Sequence, residues 1–341
     1  MAHTVGVVGA SGYGGAELVR LLAGHPALDL TVVAAHRQAG TPVRALFPNL
    51  DTDARFEPVD IDRLEGLDLV FLATPHGAAA ELGAALSGSG TRVVDLSAAF
   101  RLAPDDYANW YGETHVHPDL TPAVYGLTEW ARDVVRGATL VANPGCYPTA
   151  ALLALVPLAR LIRPGSVVVD AKSGTSGAGR GQRDDLQFSH VHGDVAAYGA
   201  PRHRHTIELE RWLTTLSGTA TGSVTFTPHL IPSTRGLLAT CYADLHEEVA
   251  ADDVTGALHD RYAREPFVRV LPPATFPHTK ALCGSNGCQL AAVVDDRTHR
   301  VVVASAIDNL GKGAAGQALQ NANLMLGLDE TLGLSANGVY P

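Results

Sequence analysis

One cysteine in this chain lies where a thiol becomes a nucleophile. Asn143-Pro144-Gly145-Cys146-Tyr147-Pro148-Thr149 stands between a strand-like run and a strongly apolar helical one. A helix N-terminus carries unpaired N–H groups and partial positive charge. Both favour a thiolate, and both can hold an oxyanion developing on a bound acyl group. The other cysteines read differently. Cys241 falls within an apolar strand pattern, the ordinary setting of an inert thiol. Cys283 and Cys288 have a C-x4-C spacing in a glycine-rich turn, but no second ligand pair completes a zinc set, so no metal is expected.

A thiolate needs a base or a cationic neighbour, and Tyr198-Gly199-Ala200-Pro201-Arg202-His203-Arg204-His205 is the richest source of both. Alternate residues of a strand share a face, so His203 and His205 can point the same way. The plainer reading makes His205 a helix cap and His203 ordinary surface. Lys172-Ser173-Gly174-Thr175-Ser176-Gly177-Ala178-Gly179-Arg180 follows an apolar strand and reads as an anion nest. Its glycines and small hydroxyls expose N–H groups, and Lys172 and Arg180 add charge. It lacks the residue order of a phosphate-binding P-loop. Arg101 and Arg235 are further candidate anion ligands.

Gly9-Ala10-Ser11-Gly12-Tyr13-Gly14-Gly15 joins a β-branched strand to an amphipathic helix, the context of a dinucleotide-binding turn. Glycines permit the tight turn and let N–H groups approach a pyrophosphate. The next strand ends in Ala34-Ala35-His36-Arg37-Gln38, with no carboxylate for a ribose 2′-hydroxyl. Arg37 is placed to meet a 2′-phosphate, so NADP(H) is the expected cofactor. Otherwise Arg37 is a solvated loop charge.

These loops require elements to hold them. Thr4 to Val8, Leu30 to Ala35, Leu67 to Ala73 and Thr91 to Leu96 are short apolar strands, and Leu18, Leu21 and Leu22 mark a helix face. They predict an α/β, Rossmann-type parallel sheet covered on both faces. Val134 to Ala142 reads as one more strand. After Cys146 the pattern changes to a helix with Pro148 in its first turn, continuing from Ala150 to Leu161, then strands at Ser166 to Ala171, Gly222 to Thr227, Leu237 to Leu245, Gln289 to Asp295 and Arg300 to Ile307. With helices at His205 to Ser217 and Asp252 to Glu265, this predicts an α+β catalytic domain on a mixed or antiparallel sheet. Residues 1–147 are the expected nucleotide-binding domain, completed by a C-terminal helix within 310–341, and 148–309 the catalytic domain.

Composition narrows the classes. The 341 residues hold 25 Lys plus Arg against 35 Asp plus Glu, a net charge of −10. That argues against a general nucleic-acid or anionic-membrane binder and leaves room for a small anion held by a local basic cluster. Four cysteines are too few for a disulfide scaffold. The N-terminus lacks the pattern of a signal peptide, and the apolar stretch from Ala150 to Ile162 is broken by Pro157 and Arg160. A cytoplasmic protein with reduced thiols is expected.

A dinucleotide loop combined with an activated cysteine points to acyl-level redox chemistry, in which a thioester accepts hydride. In this the sequence resembles the N-acetyl-gamma-glutamyl-phosphate reductase family of arginine biosynthesis. The resemblance runs through the whole chain. It rests on the Gly9 to Tyr13 turn with Glu17-Leu18-Val19-Arg20, Asn143 to Thr149, Lys172 to Arg180, His203-Arg204-His205, Pro228-His229-Leu230 with Arg235-Gly236, and Ile307 to Ala318. It implies NADPH reduction of N-acetyl-glutamyl 5-phosphate to the 5-semialdehyde, with Cys146 carrying the acyl group and His203 as acid/base beside His205. It further implies that Gly9, Ser11, Gly12, Tyr13, Gly14, Arg37, Ser176, Gly177 and Asn309 contact the cofactor. Arg101, Asn143, Lys172, Ser173, Gly174, Arg180 and Arg235 are then the substrate and phosphate ligands, and the second domain's sheet builds a homodimer or homotetramer. Two positions depart from the family: His36 replaces a frequent serine, and Gly311 replaces a larger apolar residue.

Sibling enzymes share this chemistry, namely aspartate-semialdehyde dehydrogenase and the reductase of the one-carbon-longer aminoadipyl phosphate. One methylene changes affinity by only about 1–3 kcal/mol, which no motif here encodes. A non-enzymatic NADPH sensor with a redox thiol, or a cofactor-free Cys–His hydrolase, leaves part of these motifs unused.

Overall fold

A computed structural model describes residues 2–272 and 275–340. The chain divides into two compact units, one of Met1–Gly145, Gly179–Gly181 and Ala314–Leu334, the other of Cys146–Ala178, Gln182–Gly313 and Ser335–Pro341.

In the first unit, β1 (His3–Val8), β2 (Leu28–Ala34), β3 (Leu69–Leu72), β4 (Arg92–Asp95), β5 (Val124–Tyr125) and β6 (Leu140–Ala142) form a parallel sheet in the order β2-β1-β3-β4-β6-β5. Side chains alternate across it. Val5, Val7, Leu69, Phe71 and Val94 join a core with Leu18 and Leu22 of helix Tyr13–Ala23 and Leu319 of helix Gly316–Met325. Val8, Val70, Leu72 and Val93 face the other way, onto Phe100 and Leu86 of helix His76–Ser89. Strands covered on both faces explain the near-continuous apolar runs. The strand order reverses between β1 and β3, which opens a crevice at their C-terminal ends.

The strand expected from Val134 to Ala142 is a helix, Thr128–Arg136, followed by the three residues of β6. Thr128, Ala131 and Val135 recur at helical spacing on its buried side, and Gly137 ends it. The adjacent β-branched pair Val134-Val135 gave a misleading strand signal; Val134 is exposed.

The second unit is built on β7 (Val168–Gly174), β8 (Ala196–Ala197), β9 (Thr225–Ile231), β10 (Leu237–Asp244), β11 (Val268–Val270), β12 (Cys288–Asp295) and β13 (Arg300–Ile307). They form a mixed sheet ordered β11-β12-β13-β10-β7-β9-β8, with β7/β9 and β11/β12 parallel and the other pairs antiparallel. On β10, Leu237, Ala239, Cys241 and Ala243 are buried on the side of helix Cys146–Leu155. Burial pushes the Cys241 thiol up to about 12, which fits an inert role. Leu238, Thr240, Tyr242 and Asp244 alternate with them and are only half-buried. The helix with Pro148 in its first turn, where the missing N–H has no partner to lose, is Cys146–Leu155; it stops short of Leu161 and passes into a tighter turn, Val156–Leu158, that contains Pro157.

Among the described residues no helix is long and apolar enough to cross a membrane, and no group of three or more His, Cys, Asp or Glu is placed to hold a metal.

Candidate active site

In the first unit, β1 runs directly into Gly9. Its φ is +86°, and a Cβ there would fall 2.3 Å from the carbonyl oxygen of Ala73, just past β3. The loop therefore sits at the point where the strand order reverses. Gly15 brings the helix against the loop, since its Cβ would fall 2.4 Å from the Gly9 oxygen. Gly12 caps helix Tyr13–Ala23 without a side-chain hydrogen bond, and a Cβ on Gly14 would meet nothing within 4 Å. The first turn beside Ser11 and Tyr13 is thus bare, a cradle that suits a pyrophosphate.

Arg37 is exposed on the turn His36–Gln38, immediately after β2. Arg180, expected among the substrate ligands, stands instead at the dinucleotide loop, where its Nε donates to the Ser11 carbonyl at 2.7 Å.

Arg101 and Asn143 serve the backbone. The nearly buried Arg101 donates from Nε to the Asn143 carbonyl and from Nη2 to that of Leu96, each at 2.8 Å. The Asn143 side chain donates to the Ala314 carbonyl and accepts from Asn321 Nδ2, each at 3.2 Å. Asn321 and Gln317 in turn donate to the Gly126 carbonyl at 2.8 and 2.9 Å. This buried amide ladder fixes the chain up to Pro144 and Gly145, and the next residue is the cysteine.

In the second unit, Cys146 is half-buried and is the first residue of its helix. A Cβ on Gly313 would lie 2.9 Å from the Cys146 Cβ, so the glycine lets that turn close on the nucleophile. Tyr147 turns into an aromatic cluster, with ring centroids 6.1 Å from His203, 5.9 Å from His205 and 5.3 Å from Phe226. The His203 and His205 rings are 4.9 Å apart. The Tyr147 and Tyr198 hydroxyls are 3.2 Å apart, and burial pushes both above the ordinary tyrosine range.

The two histidines do come together, but not on a strand. His205 opens helix His205–Ser217, and the N–H of His205 donates to His203 Nδ1 at 3.1 Å. The N-cap is Arg204, and His203 serves the first N–H of the helix from one residue before it. Burial, with the charge of Arg204 adding to it, lowers His203 to about 4. The ring is neutral at pH 7 with its proton on Nε2.

The anion nest is closed at its centre. The N–H groups of Gly174, Thr175 and Ser176 donate to the carbonyls of Gly236, Ser233 and Thr234 at 2.9, 2.8 and 3.2 Å. Lys172 pairs with Asp170 at 2.7 Å, and Ser173 Oγ donates to the Gly174 carbonyl at 3.1 Å. Asn309 clamps two turns, donating to Ser176 Oγ beside Gly177 and accepting from the Gly236 N–H, each at 2.9 Å. Arg235 donates to Asp308 Oδ2 at 3.2 Å. Gly311 now has a cause: a Cβ there would fall 2.0 Å from the Ser285 carbonyl oxygen.

Sequence reasoning overlooked Tyr198, Asp308 and Gly313 as site residues. Tyr198 was within reach, five residues before His203, whereas Asp308 and Gly313 act through contacts that no local spacing encodes.

Residues 4–138 match the family model of the semialdehyde dehydrogenase NAD binding domain, and residues 146–309 that of the semialdehyde dehydrogenase dimerisation domain. The chain is 48% identical to the N-acetyl-gamma-glutamyl-phosphate reductase of Desulforudis audaxviator, over 99% of both chains. It is 47% identical to that of Symbiobacterium thermophilum, over 100% of both. The fold is also that of aspartate semialdehyde dehydrogenase II from Vibrio cholerae, with a TM-score of 0.73 at 15% identity over 96% of this chain and 98% of that one. A full-length match at this identity, joined to a glycine turn on a parallel sheet and a cysteine at a helix start, places the chain in the N-acetyl-gamma-glutamyl-phosphate reductase family.

Proposed function

We propose that this protein reduces N-acetyl-L-glutamyl 5-phosphate with NADPH, giving N-acetyl-L-glutamate 5-semialdehyde and phosphate, a step of arginine biosynthesis. The observation that carries the reading is Cys146 at a helix start, next in sequence to a tyrosine packed on a neutral, half-buried His203. The homologous reductases supply the substrate class.

The Cys146 thiolate attacks the acyl carbon; the C–S bond forms as the C–O bond to phosphate breaks, and phosphate leaves with the electron pair. NADPH, when bound, supplies a hydride to the same carbon. N–H groups at the start of the Cys146–Leu155 helix hold the oxyanion, and His203 Nε2–H is the donor of the ring. Collapse of the hemithioacetal releases the aldehyde and restores the thiolate. His205 stands beside His203 as its positioning partner.

On the cofactor side, Gly9, Gly12 and Gly14 with Ser11 and Tyr13 cradle the pyrophosphate. Arg180 stands beside them, and Arg37 takes the 2′-phosphate. The family resemblance assigns Ser176, Gly177 and Asn309 to the cofactor as well, and Asn309 fixes the Ser176 turn. On the substrate side, Arg235 binds the anion, Lys172, Ser173 and Gly174 build the loop beside it, and Arg101 and Asn143 act by fixing the approach to Cys146. The cofactor belongs to the first unit, which ends its long segment at Gly145 and includes the C-terminal helix, and the reacting cysteine and histidines belong to the second. The half-buried face of the second sheet would join copies into a homodimer or homotetramer in the cytoplasm.

The reverse reaction tests this. Protein, N-acetyl-glutamate semialdehyde, NADP and phosphate should form NADPH, with loss of signal on omitting phosphate or alkylating thiols. NADPH formation that ignores phosphate, or a preference for the one-carbon-longer aldehyde, overturns the assignment.

A further inference from the structure

Asp308 is fully buried, and four donors converge on its carboxylate. Oδ1 accepts the N–H groups of Leu310 and Gly311 at 2.8 and 3.0 Å; Oδ2 accepts Gly284 N–H at 2.6 Å and Arg235 Nη1 at 3.2 Å. Its carbonyl accepts the N–H of Gly313 at 2.9 Å, and Gly313 is the residue packed on Cys146. The π-helical turn Gly311–Ala315 thus starts from Asp308 and closes against the nucleophile. We propose that Asp308 is a positioning residue that holds Arg235 at a fixed offset from Cys146, making Arg235 the arm that binds an anionic group, carboxylate or phosphate, of the substrate. This rests on the function proposed above. A carboxylate suits the place because every neighbour is a donor; an amide would turn an NH2 toward Gly284 N–H and Arg235.

Alkylation of Cys146 by iodoacetamide, followed by peptide mass in the full-length protein, reads the arrangement without turnover. Inorganic phosphate and N-acetyl-L-glutamate are tested separately as protectants, and the one that protects identifies the anion. Arg235→Ala should abolish that protection. Asp308→Asn should weaken it about tenfold, lower the thermal midpoint while leaving the unprotected alkylation rate of the folded protein near wild type, and add nothing to the loss of protection by Arg235→Ala in the double variant. Wild-type protection in folded Asp308→Asn, additive losses, or no protection of the wild type by either anion overturns the proposal. If Asp308→Asn does not fold, Asp308→Glu keeps the charge but moves it by one methylene. Lost protection in that variant supports positioning, and full protection refutes it. Should the enzyme fail to act on the acetylglutamyl substrate while these effects persist, the substrate assignment falls and the role of Asp308 stands.

Discussion

His203 Nδ1 accepts the backbone N–H of His205 at 3.1 Å, so the neutral ring has only Nε2 on which to carry its proton. Burial lowers the ring to about 4. A depressed histidine adds stability above its unfolded value of about 6.5, and that stability is lost as pH falls toward 4. NMR of the imidazole nitrogens should show the Nε2–H tautomer and no titration between pH 8 and 5.5. A midpoint near 6.5 would remove His203 from the proposed role. His203→Asn should lower kcat by about 10²–10⁴, with a smaller loss for His205→Asn.

Cys146→Ser should end turnover while NADPH still binds, because the dinucleotide loop lies in the other unit. Fluorescence titration of NADPH alongside the coupled assay checks both halves. Retained turnover would rule out the thiol as nucleophile.

Arg37→Ala should weaken NADPH about tenfold or more and leave NADH nearly unchanged, since only NADPH carries the 2′-phosphate. Arg180→Ala should weaken both dinucleotides alike, because its guanidinium lies at Ser11, on the pyrophosphate loop. Calorimetric Kd values for the four pairs separate the two roles; equal losses in Arg37→Ala would reassign that residue.

Asp95 is fully buried at the end of β4, and desolvation raises its carboxyl to about 6 in spite of hydrogen bonds from Ser97. A raised carboxyl favours the folded state below its unfolded value near 3.8, and this advantage is lost as pH climbs through about 6. The shift corresponds to about 3 kcal/mol. Asp95→Asn should therefore gain on the wild type between pH 4 and pH 6 in urea unfolding, with a constant difference above that. A difference independent of pH would show that burial does not strain this carboxylate.

Gly311→Ala should destabilise the protein by about 1–3 kcal/mol, because its Cβ meets backbone, not a yielding side chain. An unchanged thermal midpoint would mean that the Ser285 turn can move aside.

The strands of the first sheet were legible because full burial writes itself as short apolar runs, and the glycine turn was legible because Gly9 and Gly15 meet backbone directly. Val134-Val135 misled, since β-branched residues suit a strand by propensity yet lie on an amphipathic helix here. The anion nest was half legible. Its small residues leave the backbone accessible to a partner, but the sequence does not say that residues 233–236 are the partner that takes those N–H groups. Arg101, Asn143 and Asn309 were recognisable as important, though their amide and guanidinium groups turn to backbone and to each other. Contacts between residues 73 or more positions apart, such as Arg235 with Asp308, leave no local trace.

The amide ladder that ties Asn321 and Gln317 to Gly126 and Asn143 has a consequence for synthesis. Residues 146–313 leave the ribosome almost as one continuous stretch of the second unit, whereas the first unit waits for its last helix. A nascent chain lacking residues 314–334 displays the exposed flank of an unfinished sheet, so the N-terminal unit, begun first, completes its folding only when nearly the whole chain has been made.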